Sequence, residues 1–246
     1  MSDARRRPTD LGDYSDILGV EAGLPVPVVV GGQAANAWAI YYSKRIGRKL
    51  ERYRPFTSKD LDITGNRDLL EHIKRITKGT VFYSEPRSPV IGYVEASLGD
   101  GLRKIEVLRD VKGLKRDELA DAIQVTVGDV VVHLLAPIKV LKAKICNVVT
   151  LEQSERNDVT HVQIMILCVR EFILDLLASA IDGQISQRDV VDLMEELREI
   201  VLNPVADQAE TMWHLDLSKV WPVQELEGSG LQKIERFVQH RIKTVG

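Results

Sequence analysis

The chain has 246 residues, 44% of them hydrophobic, which is enough to bury a sizeable core as one large domain or two small ones. A formal net charge of −3 gives no bulk electrostatic drive toward nucleic acid, so any basic surface has to be local. The two cysteines, Cys146 and Cys168, both lie in apolar helical patterns and read as buried free thiols of a reducing cytoplasm. With no cysteine or histidine pair at ligand spacing, neither a disulfide framework nor a zinc site is expected.

In chain order, Arg5, Arg6 and Arg7 make the start basic. No apolar segment follows, which predicts a frayed terminus rather than a secretory leader. No run reaches transmembrane length, so a cytoplasmic chain without membrane contact is expected. The β-branched residues 26–30 predict a buried central strand ended by Gly31-Gly32. Residues 33–46 predict a helix with Ala34, Ala37, Trp38 and Tyr41 on one face. Residues 43–54 carry Lys44, Arg45, Arg48, Lys49, Arg52 and Arg54 against the single acid Glu51, and Pro55 ends any helix there.

A second strand is predicted over residues 60–63. Asn66 is a candidate N-cap for a helix reaching about Lys78, closed by Gly79. Strands follow at 80–84, 90–98 and 103–108, the last two joined by the turn Gly99-Asp100-Gly101. A hairpin is predicted from 123–127 and 130–134 around Gly128-Asp129. From Pro137 the apolar period becomes 3.6, and helices are predicted at 138–150, 158–181, 186–201 and 231–243. The expected fold is α+β: an α/β domain with a mixed sheet flanked by helices over residues 1–135, then a helical domain over 136–246.

Asp60-Leu61-Asp62 carries the strongest chemical signal. Residues i and i+2 of a strand share a face, so two carboxylates are aimed at one point and repel unless a cation stands between them. Hard divalent ions such as Mg²⁺ prefer carboxylate oxygens and keep positions open for phosphates. Glu106, in the alternating strand Lys104-Ile105-Glu106-Val107-Leu108, supplies a third acid if that strand pairs beside the first. Three carboxylates from neighbouring strands can hold two cations. Gly31 and Gly32, between a strand and a helix, let backbone amides approach a phosphate at a helix N-terminus. They form neither a dinucleotide fingerprint nor a Walker loop. An exposed ion pair of Glu106 with Lys104 or Arg103 is the structural alternative for the third acid. His161 reads either as an acid–base group or as a hydrogen-bonded helix histidine, and the three tryptophans read as packing residues.

Val-Gly-Gly before a helix, then Ser-Lys-Asp-Leu-Asp-Ile, then Ile-Glu-Val-Leu on a later strand resembles the nucleotidyltransferase superfamily of the polymerase-beta type, over about residues 26–110. A looser likeness runs to 160 through Ala136-Pro137-Ile138-Lys139 and Leu141-Lys142-Ala143-Lys144, and is similar to bacterial nucleotidyltransferase toxins and their relatives. The resemblance implies a nucleotidyltransferase-like sheet and transfer of a nucleoside monophosphate from an NTP to an acceptor hydroxyl. It further implies that Asp60, Asp62 and Glu106 hold two Mg²⁺ ions. Gly31, Gly32, Lys142 or Lys144, and Asp158 would then hold the nucleotide, with Arg156 and Asp158 matching an Arg-Asp pair. Here Asn157 interrupts that pair, position 33 is Gln rather than Ser, and the Gly32-to-Asp60 gap is longer than usual. That gap holds the basic segment 44–54, suited with Tyr42 and Tyr53 to gripping tRNA or another RNA. An antitoxin or a homodimer is a partner of the kind the resemblance implies. The alternatives are a nucleotide-binding module of the same fold without turnover, and an RNA-binding protein.

Overall fold

Alternation sets the sheet, and the computed structural model describes it over residues 11–19, 21–99 and 101–243. A short helix α1 (Ser15–Leu18) precedes strand β1 (Val28–Val29), helix α2 (Gly31–Ile46) and the single turn α3 (Arg48–Glu51). Strand β2 (Asp60–Thr64), helix α4 (Arg67–Thr77), β3 (Thr80–Tyr83), β4 (Val90–Leu98) and β5 (Gly101–Leu108) follow, and β6 (Ala122–Val127) and β7 (Val130–Leu135) form the closing hairpin. The remaining helices are α5 (Pro137–Thr150), α6 (Asp158–Ile181), α7 (Gln187–Val201), α8 (Pro204–Trp213), α9 (Val223–Glu227) and α10 (Gln232–Phe237).

The described strands form one seven-stranded mixed sheet in the order β3-β4-β5-β2-β1-β7-β6. β1 runs antiparallel to β2 and parallel to β7, and β2 runs parallel to β5. The fold is therefore mixed α+β, a mixed sheet flanked by helices. Leu61, Ile63, Ile105, Val107, Val132 and Leu134 are fully buried, so the apolar members of each alternation face the core. α2 lies against α5 and α6 and inserts Trp38, whose indole N–H donates to the Leu135 carbonyl at 2.9 Å. One buried apolar cluster runs from Leu11 to Val238, so the change of pattern at Pro137 is a change of layer within a continuous core.

Several boundaries differ from the sequence expectation. Only Val28 and Val29 of the 26–30 run join the ladder, because Pro25 and Pro27 flank Val26 and proline cannot donate to a neighbouring strand. α2 begins at Gly31, two residues early. Asn66 caps α4 as expected, accepting from the Leu69 amide at 3.0 Å. The basic segment is not one helix, since Gly47 at φ +61 ends α2 and redirects the chain. Early in the chain α1 and the turn at Asp117–Ala120 are unanticipated, and after Pro137 the apolar period does not reveal α8, α9 or a tight turn at Leu217–Val220. Asn203-Pro204 was the available signal, for Asn203 accepts from the Val205 and Ala206 amides and Pro204 takes the first helical position. Cys168 is buried, whereas Cys146 is only half-buried. Arg5–Arg7 and Asp100 lie outside the described residues, and no helix among the described residues is long and apolar enough to cross a membrane.

A continuous core predicts one cooperative unfolding transition. Leu61→Ala should lower stability by about 2–5 kcal/mol. Far-UV dichroism and tryptophan fluorescence should shift together in urea, and two separated transitions would contradict a shared core.

Candidate active site

β2 and β5 place Asp60 opposite Lys104 and Asp62 opposite Glu106. Opposed residues share a sheet face. The partners of the alternation, Leu61 and Ile105, are in the core, so these four charged side chains occupy the other face together. Asp62 is the most constrained of them. Burial drives its carboxyl up to about 7, Glu106 and Asp60 add to the rise, and Lys144 and Lys104 pull the other way. The three acids of the sequence expectation thus act electrostatically on one group. Glu106 is also ion-paired with Lys104, whose ammonium sits 4.6 Å above the Tyr93 ring. With Glu106 drawn to that lysine, no three acidic, histidine or cysteine side chains stand at coordinating distance among the described residues.

The glycine turn abuts this acid pair. Gly31 has φ +65, and a Cβ there would overlap the Asp62 carboxylate. Glycine is therefore required twice, for backbone conformation and for space. The Val30 amide bonds the Asp62 carbonyl at 2.9 Å, which fixes the start of α2 beside β2. The neighbouring residue, Gly32, faces Ser58 and His161.

Asp60, Asp62, Gly32, Ser58 and His161 line one cleft of about 470 Å³ together with Lys144, Arg156 and Asp158, whereas Glu106 and Gly31 stand outside its lining. Lys144 is buried and donates to Asp158 Oδ1 at 2.6 Å, while Arg156 donates to Asp158 Oδ2 at 2.6 Å. Burial alone would raise the Asp158 carboxyl, but the two cations outweigh it and hold it below the usual carboxylate range. Asp158 therefore serves as an anchor for Lys144 and Arg156. His161 is 8% exposed, and burial followed by the charge of Lys144 pushes its imidazole down to about 3, so it is neutral.

The structure separates the two candidate lysines. Lys142 donates to both oxygens of Glu118, at 2.7 and 2.9 Å, and does not line the cleft. Lys139 joins it on Glu118 and also pairs with Asp121 and Glu196. Two residues on a helix are about 200° apart, which sends Lys142 and Lys144 to opposite sides. Of the pair, only Lys144 meets the acids.

The basic segment is divided too. Arg45 pairs with Glu171 and Asp175 of α6, and Tyr42 donates to Asp175 at 2.8 Å. Arg52 stacks on Tyr53 at 4.6 Å and Arg54 on Phe56 at 5.0 Å. Tyr53, Arg54 and Lys59 form part of the cleft wall, whereas Lys44, Arg48 and Lys49 are exposed away from it. Gln33 is buried. Sequence reasoning did not single out Ser58 or the rim position of Lys59, although both immediately precede the acid pair in Thr57-Ser58-Lys59. Three larger grooves, of about 740, 720 and 570 Å³, lie elsewhere, and none of them is lined by the strand carboxylates or the glycine turn.

No protein-family model matches this chain, and no curated protein matches it.

The pH dependence of stability follows from Asp62. Its native carboxyl holds a proton that the unfolded chain releases near 3.8, so its contribution is fully present below about pH 4 and is lost as pH rises through 7. In EDTA, Asp62→Asn should therefore gain ~1–2 kcal/mol at pH 8 after allowance for solvent screening, raising Tm by about 3–6 °C. It should gain little at pH 4. Equal shifts at the two pH values in thermal melts would contradict the assignment.

Proposed function

We propose that the chain is a metal-dependent nucleotidyltransferase that moves a nucleoside monophosphate from an NTP to an acceptor hydroxyl. The observation that carries this reading is the parallel register of Asp62 with Glu106, with Asp60 on the same face and the Gly31 turn against them. The donor set fits the ion: all three groups are hard oxygen ligands, and burial, with repulsion from Glu106 and Asp60 added, pushes the Asp62 carboxyl up to about 7. Bound Mg²⁺ would neutralise the phosphate oxygens and the charge that develops on them.

The chain's own residues do the rest. Gly31 and Gly32 bring the first amides of α2 to the phosphates, where the helix terminus favours negative charge. Lys144, steadied by Asp158, faces the leaving phosphates, and Arg156 sits beside it. Asp60, Asp62 and Glu106 would hold the ions. Glu106, once released from the Lys104 ammonium, would also take the proton of the attacking hydroxyl. That oxygen bonds to the α-phosphorus as the bond to pyrophosphate breaks. Positioning and charge neutralisation supply the catalysis. The rim formed by Tyr53, Arg54 and Lys59 suits a polyanionic acceptor with stackable bases, which favours RNA.

A second reading rests on the Lys104–Glu106 pair. If that ammonium is a permanent occupant, the fold binds nucleotide without turnover. Incubation with each NTP, Mg²⁺ and total cellular RNA separates the two readings. The wild type should release pyrophosphate and label RNA, and Asp62→Ala should lose about 10³-fold or more of the rate while keeping its far-UV dichroism. Transfer that persists in the variant overturns the assignment; nucleotide binding without pyrophosphate across that panel establishes the second reading.

A further inference from the structure

His161 lies on the second turn of α6, with its ring against the first turn of α2. Three observations about it combine. Its Nδ1 is sealed from solvent and has no hydrogen-bond partner among the described residues. The residue nevertheless lines the 470 Å³ cleft, and its other ring nitrogen, Nε2, is not among the sealed, unpartnered atoms. A Cβ on Gly32 would stand 3.1 Å from the ring Cε1, 3.7 Å from Nε2 and 3.2 Å from Ser58 Oγ. The missing side chain of Gly32 thus leaves a gap bounded by the imidazole, a hydroxyl and the amides that open α2.

The buried nitrogen fixes the tautomer. An orphaned N–H in a protein interior is rarer and costlier than an under-used acceptor, so the proton belongs on Nε2 and Nδ1 keeps its lone pair. The ring is neutral, because burial and the nearby Lys144 charge both oppose protonation. His161 is therefore a single, directed donor whose approach is set by packing, next to helix amides that lack partners within their own helix. Such a donor complements an acceptor oxygen that lies against the α2 terminus.

We infer that His161 binds the phosphate chain of the nucleotide through Nε2–H, in the gap that Gly32 leaves between Ser58 and the start of α2. This rests on the nucleotidyltransferase reading and adds a recognition residue that its acids and lysine do not include. The role is one of binding and positioning. No proton transfer is assigned to it.

Three substitutions separate donor geometry from shape. His161→Gln carries an amide nitrogen near the Nε2 position, His161→Asn carries one near Nδ1, and His161→Phe keeps the ring outline and removes both. Isothermal titration with each Mg·NTP and with Mg·tripolyphosphate, on full-length protein whose thermal melt matches the wild type, reads the result directly. The expected outcome is near-wild-type affinity for His161→Gln and a loss of about tenfold for His161→Asn and His161→Phe, the same for nucleotide and tripolyphosphate. Equal affinity in all variants overturns the inference, as does His161→Gln binding no better than His161→Phe. A loss confined to nucleotides overturns the phosphate assignment. Should His161→Phe fail to fold, the Gln and Asn pair still decides. If the wild type binds neither ligand, the nucleotidyltransferase reading falls and this inference with it, which distinguishes that result from a failure limited to His161.

Discussion

Parallel pairing of β2 with β5 forces Asp62 and Glu106 into adjacent positions on one sheet face, and carboxylates so placed repel in surroundings that water screens poorly. The cations around them answer that repulsion. Lys104 shares the face and holds Glu106, and Lys144 reaches in from α5. They offset the repulsion only in part: burial first, then Glu106 and Asp60, hold the Asp62 carboxyl up at about 7. Carboxylates gathered in this way are hard oxygen donors, and the proposal of a cation site rests on them.

Space is the second constraint. Gly31 can lie against the Asp62 carboxylate only because it has no side chain and adopts a positive φ. The same step starts α2 at the sheet edge of the cleft and turns Trp38 into the core, where its indole ties the helix to the end of β7. The glycine turn thus joins the packing of the molecule to the geometry of the site. A larger residue at 31 would disturb both, since the helix axis and the carboxylate share one point of contact.

Cationic residues in this chain divide sharply by what they meet. Lys139 and Lys142 are absorbed by Glu118, Asp121 and Glu196, and Arg45 by Glu171 and Asp175. Burial alone would raise the Glu118 carboxyl, but hydrogen bonds from the Lys115 amide, Lys142 and Lys139, with the Lys139 charge, pull it down to about 2. These pairs brace helices against neighbours. Lys144 and Arg156 are paired with Asp158, and Arg54 with Glu51, yet these three and Lys59 line the cleft. Composition could not have sorted them, because all are lysine or arginine on helices or loops of similar polarity.

Local physics wrote much of this molecule into its sequence. Alternation gave the strands carrying Asp60, Asp62 and Glu106, because pleating alone determines which residues share a face. The Asn66 cap, the Gly128 turn and helices α5, α6 and α7 were legible for the same reason: each depends on side chains within a few residues of one another. Tertiary structure decided what depends on distance. Parallel rather than antiparallel pairing of β2 and β5 set Asp62 against Glu106. Helix phase relative to the sheet chose Lys144 over Lys142, and the packing of α6 on α2 carried His161 to Gly32. No spacing within the chain encodes those meetings, because they arise only when segments separated by tens of residues bury their apolar faces in one core.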